Sequence, residues 1–482
     1  MVDPNESIER SLAFDPADAR AALTQLPQTP AVFALYGAEA HSEPYIGRTP
    51  NLRGRLERLL QPSAKHPRRL QLAGRVREIR WRLTGSDFES LLVQFELLEK
   101  VYGAKCLERM HLRASAFIRY MGSNAYPRIT VTYHPSQREA RWAYGPFQSR
   151  ASAERFADEA LKLFLLRRCT ENLDPDPANP GCVYSEMKMC LAPCYQGCTD
   201  ERYAEEAAAV ERFLATRGES RLTALRTERD AASANLEFET AAALHAQIAR
   251  VESVRALAPE LVRPLSELRA VILQASANPG EVAVFLYENG RLSGPAGFST
   301  LGMRIQNEQS GSTSLFAQPM AIEPVPEVAV KGDFGSETIR NSALVSPQAH
   351  DSEKEAGFEP EIKSEKCADL TLNSASEGAF LMNTAASSSE AAQNPPAKAA
   401  RGLLEARMEA ALAELAKRSK TPSPTLRQGY LALVKRWYYR PEARRAGEIF
   451  FPDAEGRWPV KAMLRGVGRV AGKMLTAKNH AE

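Results

Sequence analysis

An α+β chain assembled from several units is what this sequence predicts, and three observations predict it. Residues 28 to 125 alternate short strand-like runs (AVFALYG, PYIG, IRWRLTG) with helical ones (LRGRLERLL, FESLLVQFELLEK), the pattern of a small α/β unit. From Asp200 to Val262 the chain is rich in Ala, Glu, Arg and Leu with almost no Gly or Pro, and its helical period predicts a helical hairpin. Residues 268 to 300 return to strand pattern in AVILQAS and VAVFLYENGRLSG, where Asn289-Gly290 supplies a hairpin turn.

Seven segments follow in order. Residues 1 to 27 form an N-terminal extension, and 28 to 125 the α/β unit, opened by Thr29-Pro30 with Gly37 ending its first strand. Residues 126 to 200 form a cysteine-bearing region, 201 to 262 the helical hairpin, and 263 to 304 a β-hairpin. Residues 305 to 400 are rich in Ser, Ala, Glu and Pro without a sustained period, which predicts a disordered insert. Residues 401 to 482 pair an Ala/Leu/Glu helix with the strand-like EIFFP and a basic tail.

Composition narrows the class. With 44% hydrophobic and 25% charged residues in 482, the chain is ordinary globular material with length for about three domains. The N-terminus MVDPNESIERSLAFDPADAR is polar and acidic, unlike a secretory leader. Seven cysteines are not dense, and the expectation is a reducing cytoplasm. No run reaches the roughly 18 to 20 apolar residues of a membrane span. A net charge of +3 does not argue for nucleic acid, so charge distribution must. Residues 45 to 82 hold eleven Lys and Arg against Glu57 and Glu78. Within that patch Arg53, Arg58, Arg68, Arg69, Arg75 and Arg77 are the candidate contacts to duplex DNA backbone.

Four cysteines read Cys169-x12-Cys182-x7-Cys190-x3-Cys194, and Cys198 follows. In a cytosolic chain such clustering points to metal rather than disulfides. Thiolates suit zinc and an iron-sulfur cluster alike, and spacing does not separate them. Cys198 stays open as an alternate ligand, whereas Cys106 and Cys367 stand apart.

In PYIGRTPNLRGRLERLL a strand ending in Tyr45-Ile46-Gly47 runs into a helix that carries Arg55. This resembles the second half of a GIY-YIG motif, with TPAVFALYG as the first half. VREIRWRLTGSDFESLL, AFIRY, YPRITVTY and YGPF follow in order, and the ordered series resembles the N-terminal half of the bacterial UvrC family of excinuclease proteins. The resemblance implies a DNA-repair nuclease fold in which Tyr45 acts as general base or water-aligning group and Arg55 steadies the phosphate. Arg48 is a further basic residue beside them, and one divalent metal, Mg or Mn, is held by a glutamate on a later helix. A metal polarises the phosphoryl oxygen, and a guanidinium fork matches phosphate geometry.

Two positions depart from that pattern. Phe33 stands where the first motif has tyrosine, and Gln94 where the metal-binding glutamate is expected. On a helix the face of Gln94 is shared by Ser90, Leu91, Leu97 and Leu98, while Glu89 and Glu96 point away. Asp87 shares the face but lies roughly 10 Å along the axis.

The resemblance extends further. The cysteine segment is similar to the region that holds an iron-sulfur cluster in UvrC proteins. LTALRTERDAASANLEFETAAALHAQIARVESV looks like the UVR motif, by which the UvrB and UvrC components of the excinuclease associate. Leu236, Phe238, Leu244 and Ile248 recur at helical spacing as a contact stripe, with His245 and Ala246 at positions usually arginine and aspartate. Residues 268 to 300 and 426 to 452 resemble segments preceding the second catalytic domain, which is not in this sequence. The expectation is a nucleotide excision repair protein making at most one, 3′-side, incision, or a catalytically degenerate DNA-binding or recruiting relative. A homing or restriction enzyme does not fit the cysteines and hairpin.

Overall fold

A computed structural model describes residues 8–39, 42–61, 72, 74–301, 303, 305–306, 313–314, 397–417 and 422–479. Its first sheet contains β1 (Arg10–Ala13), β2 (Ala31–Gly37), β3 (Tyr45–Thr49) and β4 (Val76–Leu83), antiparallel in the order β1-β4-β2-β3. Alternate residues of a strand face opposite sides, so β2 serves two cores. Ala31, Phe33 and Leu35 pack with α1 (Ala19–Thr24) and α2 (Leu52–Leu60). Val32 and Ala34 pack with Val93 and Leu97 of α3 (Asp87–Tyr102). The unbroken apolar run AVFAL is the signature of a strand covered on both faces.

Helix α3 is capped by Ser86, whose hydroxyl accepts from the Glu89 amide at 3.1 Å. Its other apolar residues, Phe88, Leu91, Leu92, Phe95 and Leu98, enter a second core. A helix apolar on two sides is one buried between two layers. The short α4 (Cys106–Arg109) follows.

A second antiparallel sheet, ordered β6-β5-β7-β8, contains β5 (Ala116–Tyr120), β6 (Ile129–Thr132), β7 (Ala143–Phe147) and β8 (Arg263–Pro264). Its core is shared with α5 (Arg150–Leu161), α7 (Asp200–Ala215), α8 (Glu219–Ala234) and α9 (Phe238–Ala256), and α6 (Val183–Glu186) lies in the cysteine region. The third sheet contains β9 (Ala270–Ala275), β10 (Glu281–Glu288) and β11 (Arg291–Ser299). The turn at Asn289-Gly290 has φ of 54° and 75°, the positive values a type I′ hairpin requires. Strands β12 (Ile305–Gln306) and β13 (Thr313–Ser314) make a small pair. Beyond them come α10 (Ala397–Lys417), α11 (Pro424–Tyr438), β14 (Glu448–Phe450) and α12 (Val460–Asn479).

The mixed helix and antiparallel sheet is the α+β class expected, but pairing redraws the segments. Strand β1 joins β4, so the extension before residue 28 belongs to the first sheet. Strands β5 and β6 pair across position 125, placing both in the second sheet. Strand β14 pairs β9, and α10 and α12 cover that sheet's far face, so 263–304 and 401–482 share one core. Periodicity reports a strand's faces and not its neighbours, which is why these boundaries shift. The segment from 305 to 400 lies outside the described residues except for β12, β13 and the start of α10, which are regular where disorder was expected.

Candidate functional site

Among the described residues strand β3 is an edge, paired only to β2. Leu35 lies opposite Tyr45, Phe33 opposite Gly47 and Val32 opposite Arg48. Tyr45 therefore shares the α2 face with Phe33, their ring centroids 6.1 Å apart, while Arg48 turns to the α3 face. Phe33 is fully buried, a core residue rather than an accessible site group. The reason for glycine in YIG is explicit: a Cβ on Gly47 would come within 2.7 Å of the tip of the Phe33 ring. Asn51 caps α2, its side-chain oxygen accepting from the Gly54 amide at 2.9 Å, and Arg55 is half-buried one turn in.

Gln94 is half-buried on α3, and Asp87, Glu89 and Glu96 of the same helix are engaged elsewhere. Asp87 receives Arg48 on one oxygen and Arg440 on the other, the latter at 2.8 Å. Burial pushes the Asp87 carboxyl up, but the Arg440 hydrogen bond and both positive charges outweigh it and hold it below the usual range. Glu89 accepts from the Gly85 amide at 2.8 Å, and burial raises its carboxyl. Glu96 accepts from the Tyr430 hydroxyl at 2.9 Å. A divalent ion at the Gln94 position would find an amide and no uncommitted acid on this helix face, so these residues do not fit the expected metal.

The basic patch is partly spent internally. The Arg53 Nε donates to the Leu26 carbonyl at 2.7 Å, the Arg58 Nε to the Gly54 carbonyl at 2.9 Å, and Arg77 to the Gly74 and Val76 carbonyls. Each keeps further N–H groups. Arg75 and Arg77 are exposed. Arg68 and Arg69 lie outside the described residues.

Cys169, Cys182, Cys190 and Cys194 line one pocket together with Arg167, Arg168 and Tyr184. All four are free thiols. Burial, opposed in part by the Ala192 amide and reinforced by the other three cysteines, pushes the Cys190 thiol up to about 11. The buried Arg167 guanidinium approaches the Cys169 Sγ at 3.4 Å, and the Ala192 amide donates to the Cys190 Sγ at 3.3 Å. N–H groups aimed at sulfur suit thiolate ligands. Yet among the described residues no group of three or more His, Cys, Asp and Glu stands as a closed metal site. The fold brings the four cysteines to one pocket. Cys198 is not among the lining residues, and Cys106 is buried elsewhere, in the core beside α3.

The hairpin of α8 and α9 divides the expected contact stripe. Leu236, at φ 63° in the turn, and Phe238 are 72% and 66% exposed. Ile248 instead is buried, and Leu244 half-buried, against the chain's own core. Helical spacing marks the stripe, but its C-terminal half packs towards the core that α5 and α7 share.

One contact has no counterpart among the sequence expectations, and one feature sharpens the expected basic tail. Arg440 meets Asp87 across 353 positions, which no local pattern reveals. On α12, Lys461, Arg465, Arg469 and Lys473 recur every four residues with no acid in the helix, a spacing that is legible in the sequence.

Residues 116–213 match the family model of the UvrC/Cho excinuclease middle domain, and 219–254 that of the UvrB/uvrC motif. The first match begins on β5, where the second sheet starts. Among curated proteins, the UvrABC system protein C of Ruminiclostridium cellulolyticum is 28% identical over 332 residues, 67% of this chain and 53% of the relative. That of Alcanivorax borkumensis is 30% identical over 243 residues, 50% of this chain and 39% of the relative. That of Pseudomonas aeruginosa is 26% identical over 238 residues, 49% and 39% respectively. Over these stretches the chain is similar to UvrC proteins. It spans about half the length, or less, of the curated relatives it matches. No solved structure matches it. Among the described residues no helix is long and apolar enough to cross a membrane.

Proposed function

We propose that this chain is a UvrC-type protein of nucleotide excision repair that binds damaged duplex DNA, associates with UvrB, and makes a 3′-side incision through its first sheet. The observation that carries the reading is the hairpin tip, where Leu236 and Phe238 stand exposed within the matched UVR motif. Large apolar side chains held out at a helix start are the anchors a partner helix pair buries. The first sheet is read as a GIY-YIG-type domain with Tyr45, Arg48 and Arg55 as its site groups, and Arg53, Arg58, Arg75 and Arg77, with Arg68 and Arg69, as backbone contacts.

Cys169, Cys182, Cys190 and Cys194 are read as holding an iron-sulfur cluster or zinc, which would cross-link a segment poor in regular structure between α5 and α7. The N–H donors on two of the sulfurs support this. The bound group would be structural, and no chemical step is routed through it.

A second reading, a degenerate relative without nuclease activity, is favoured by Gln94 and by the commitment of Asp87, Glu89 and Glu96 to other partners. The experiment is a nicking assay on damaged duplex with UvrB and Mg²⁺ or Mn²⁺, run on wild type, Gln94→Glu, and Gln94→Glu with Phe33→Tyr. Nicking by wild type that Tyr45→Phe abolishes supports one incision. Binding without nicking, restored only in the double variant, supports the degenerate reading. Absence of both DNA and UvrB binding overturns both.

A further inference from the structure

We propose that Asp87 is a positioning residue that holds Arg48 and Arg440 as a paired guanidinium clamp for one DNA backbone phosphate at the β3 edge. The segment following α11 would thereby complete the nuclease-like site. The inference rests on reading this chain as a DNA-binding excinuclease relative.

The geometry is unusual for a structural ion pair. One carboxylate serves two cations, leaving a net positive triad. Each oxygen receives a single nitrogen, Oδ1 from Arg48 and Oδ2 from Arg440, so neither guanidinium is used as a bidentate fork. A guanidinium has five N–H donors, and neither arginine has another side-chain hydrogen bond among the described residues. The side chains are 33%, 42% and 28% exposed for Arg48, Asp87 and Arg440, open enough for a ligand and ordered enough to aim. Arg48 lies three residues from Tyr45 on an edge strand, where a phosphate approaches without displacing sheet. Two planar forks fixed about a common anion present their remaining N–H groups at low entropic cost, the arrangement that phosphate oxygens accept.

A pair that merely ties α11 to β3 makes the opposite prediction. Removing a surface acid would then strengthen DNA binding through simple charge. Positioning requires that it weaken.

The test is fluorescence anisotropy of a labelled duplex against the full chain over a salt series, with wild type, Asp87→Asn, Arg440→Gln and the double variant, and thermal melting to monitor folding. Asp87→Asn should weaken binding about tenfold, the size of one lost charge-assisted contact. Arg440→Gln should lower the slope of log affinity on log salt by about 1. The double variant should lose little beyond either single one, because the groups act together. Asp87→Asn binding as tightly as wild type or tighter, or an unchanged slope in Arg440→Gln, overturns the clamp. The second variant carries the test if the first melts early. Wild type that shows no salt-dependent binding overturns the DNA-binding reading itself, and the clamp with it.

Discussion

The Tyr430 hydroxyl donates to a Glu96 carboxylate oxygen at 2.9 Å across 334 positions, joining α11 to α3 beside the Phe95–Tyr430 edge contact. Burial raises the Glu96 carboxyl, and the Tyr430 hydrogen bond offsets this only in part. A raised carboxyl contributes most stability below its ordinary value of 4.5, and that contribution is lost as pH rises through the folded-state value. Glu96→Gln keeps an acceptor for Tyr430 without the charge. Its melting temperature should match wild type near pH 4 and equal or exceed it at pH 8. Tyr430→Phe, which strands the carboxylate, should cost about 1 to 3 kcal/mol. Calorimetry across pH checks both, and a Glu96→Gln variant less stable at pH 8 than at pH 4, relative to wild type, refutes the burial argument.

Gly47 lies beneath the Phe33 ring, so Gly47→Ala should destabilise by about 1 to 3 kcal/mol through overpacking. Phe33→Leu should recover part of that loss in the double variant, because the ring is what the new methyl meets. Additive losses in denaturant titrations would mean that the two residues do not touch.

At the hairpin, Leu236→Asp with Phe238→Asp should leave stability within about 0.5 kcal/mol, as exposed substitutions do, yet abolish capture by immobilised UvrB. Ile248→Ala should do the reverse, costing about 2 to 4 kcal/mol as a core truncation while the folded fraction still binds. Equal effects at the two places would show that the tip is not the contact.

For the cysteine pocket, anaerobically purified protein should contain iron and be brown, or contain zinc. Cys190→Ser should lose the metal and lower the melting temperature. Elemental analysis showing neither metal, or a Cys190→Ser variant with undiminished content and stability, removes the cluster.

As pH falls through the lowered folded-state value of Asp87, the link from α3 to Arg440 should fail. The Asp87 carboxyl is held low, so its contribution is complete above the ordinary value of 3.8 and lost as pH falls through the lower folded-state value. Arg440→Gln should therefore be less stable than wild type at neutral pH and indistinguishable from it in strong acid, as acid titrations followed by tryptophan fluorescence would show.

Much of this organisation was legible locally. The β2 run AVFALYG, the Ser86 cap of α3 and the Asn289-Gly290 turn follow from side-chain alternation, hydrogen-bonding reach and positive φ, all decided within a few residues. The YIG glycine and the cysteine spacing likewise pointed to places where the fold does bring residues together.

By itself, then, the sequence determined the strands, helices, turns and the membership of the cysteine group, because each depends on near neighbours along the chain. Tertiary structure alone decided that β14 pairs β9, that Asp87 binds Arg48 and Arg440, and that Ile248 is buried while Phe238 is not. Those outcomes depend on which surfaces compete for one core. An apolar residue at helical spacing looks the same in sequence whether its own chain or a partner covers it, and a charge shows its partner only once distant segments have folded together.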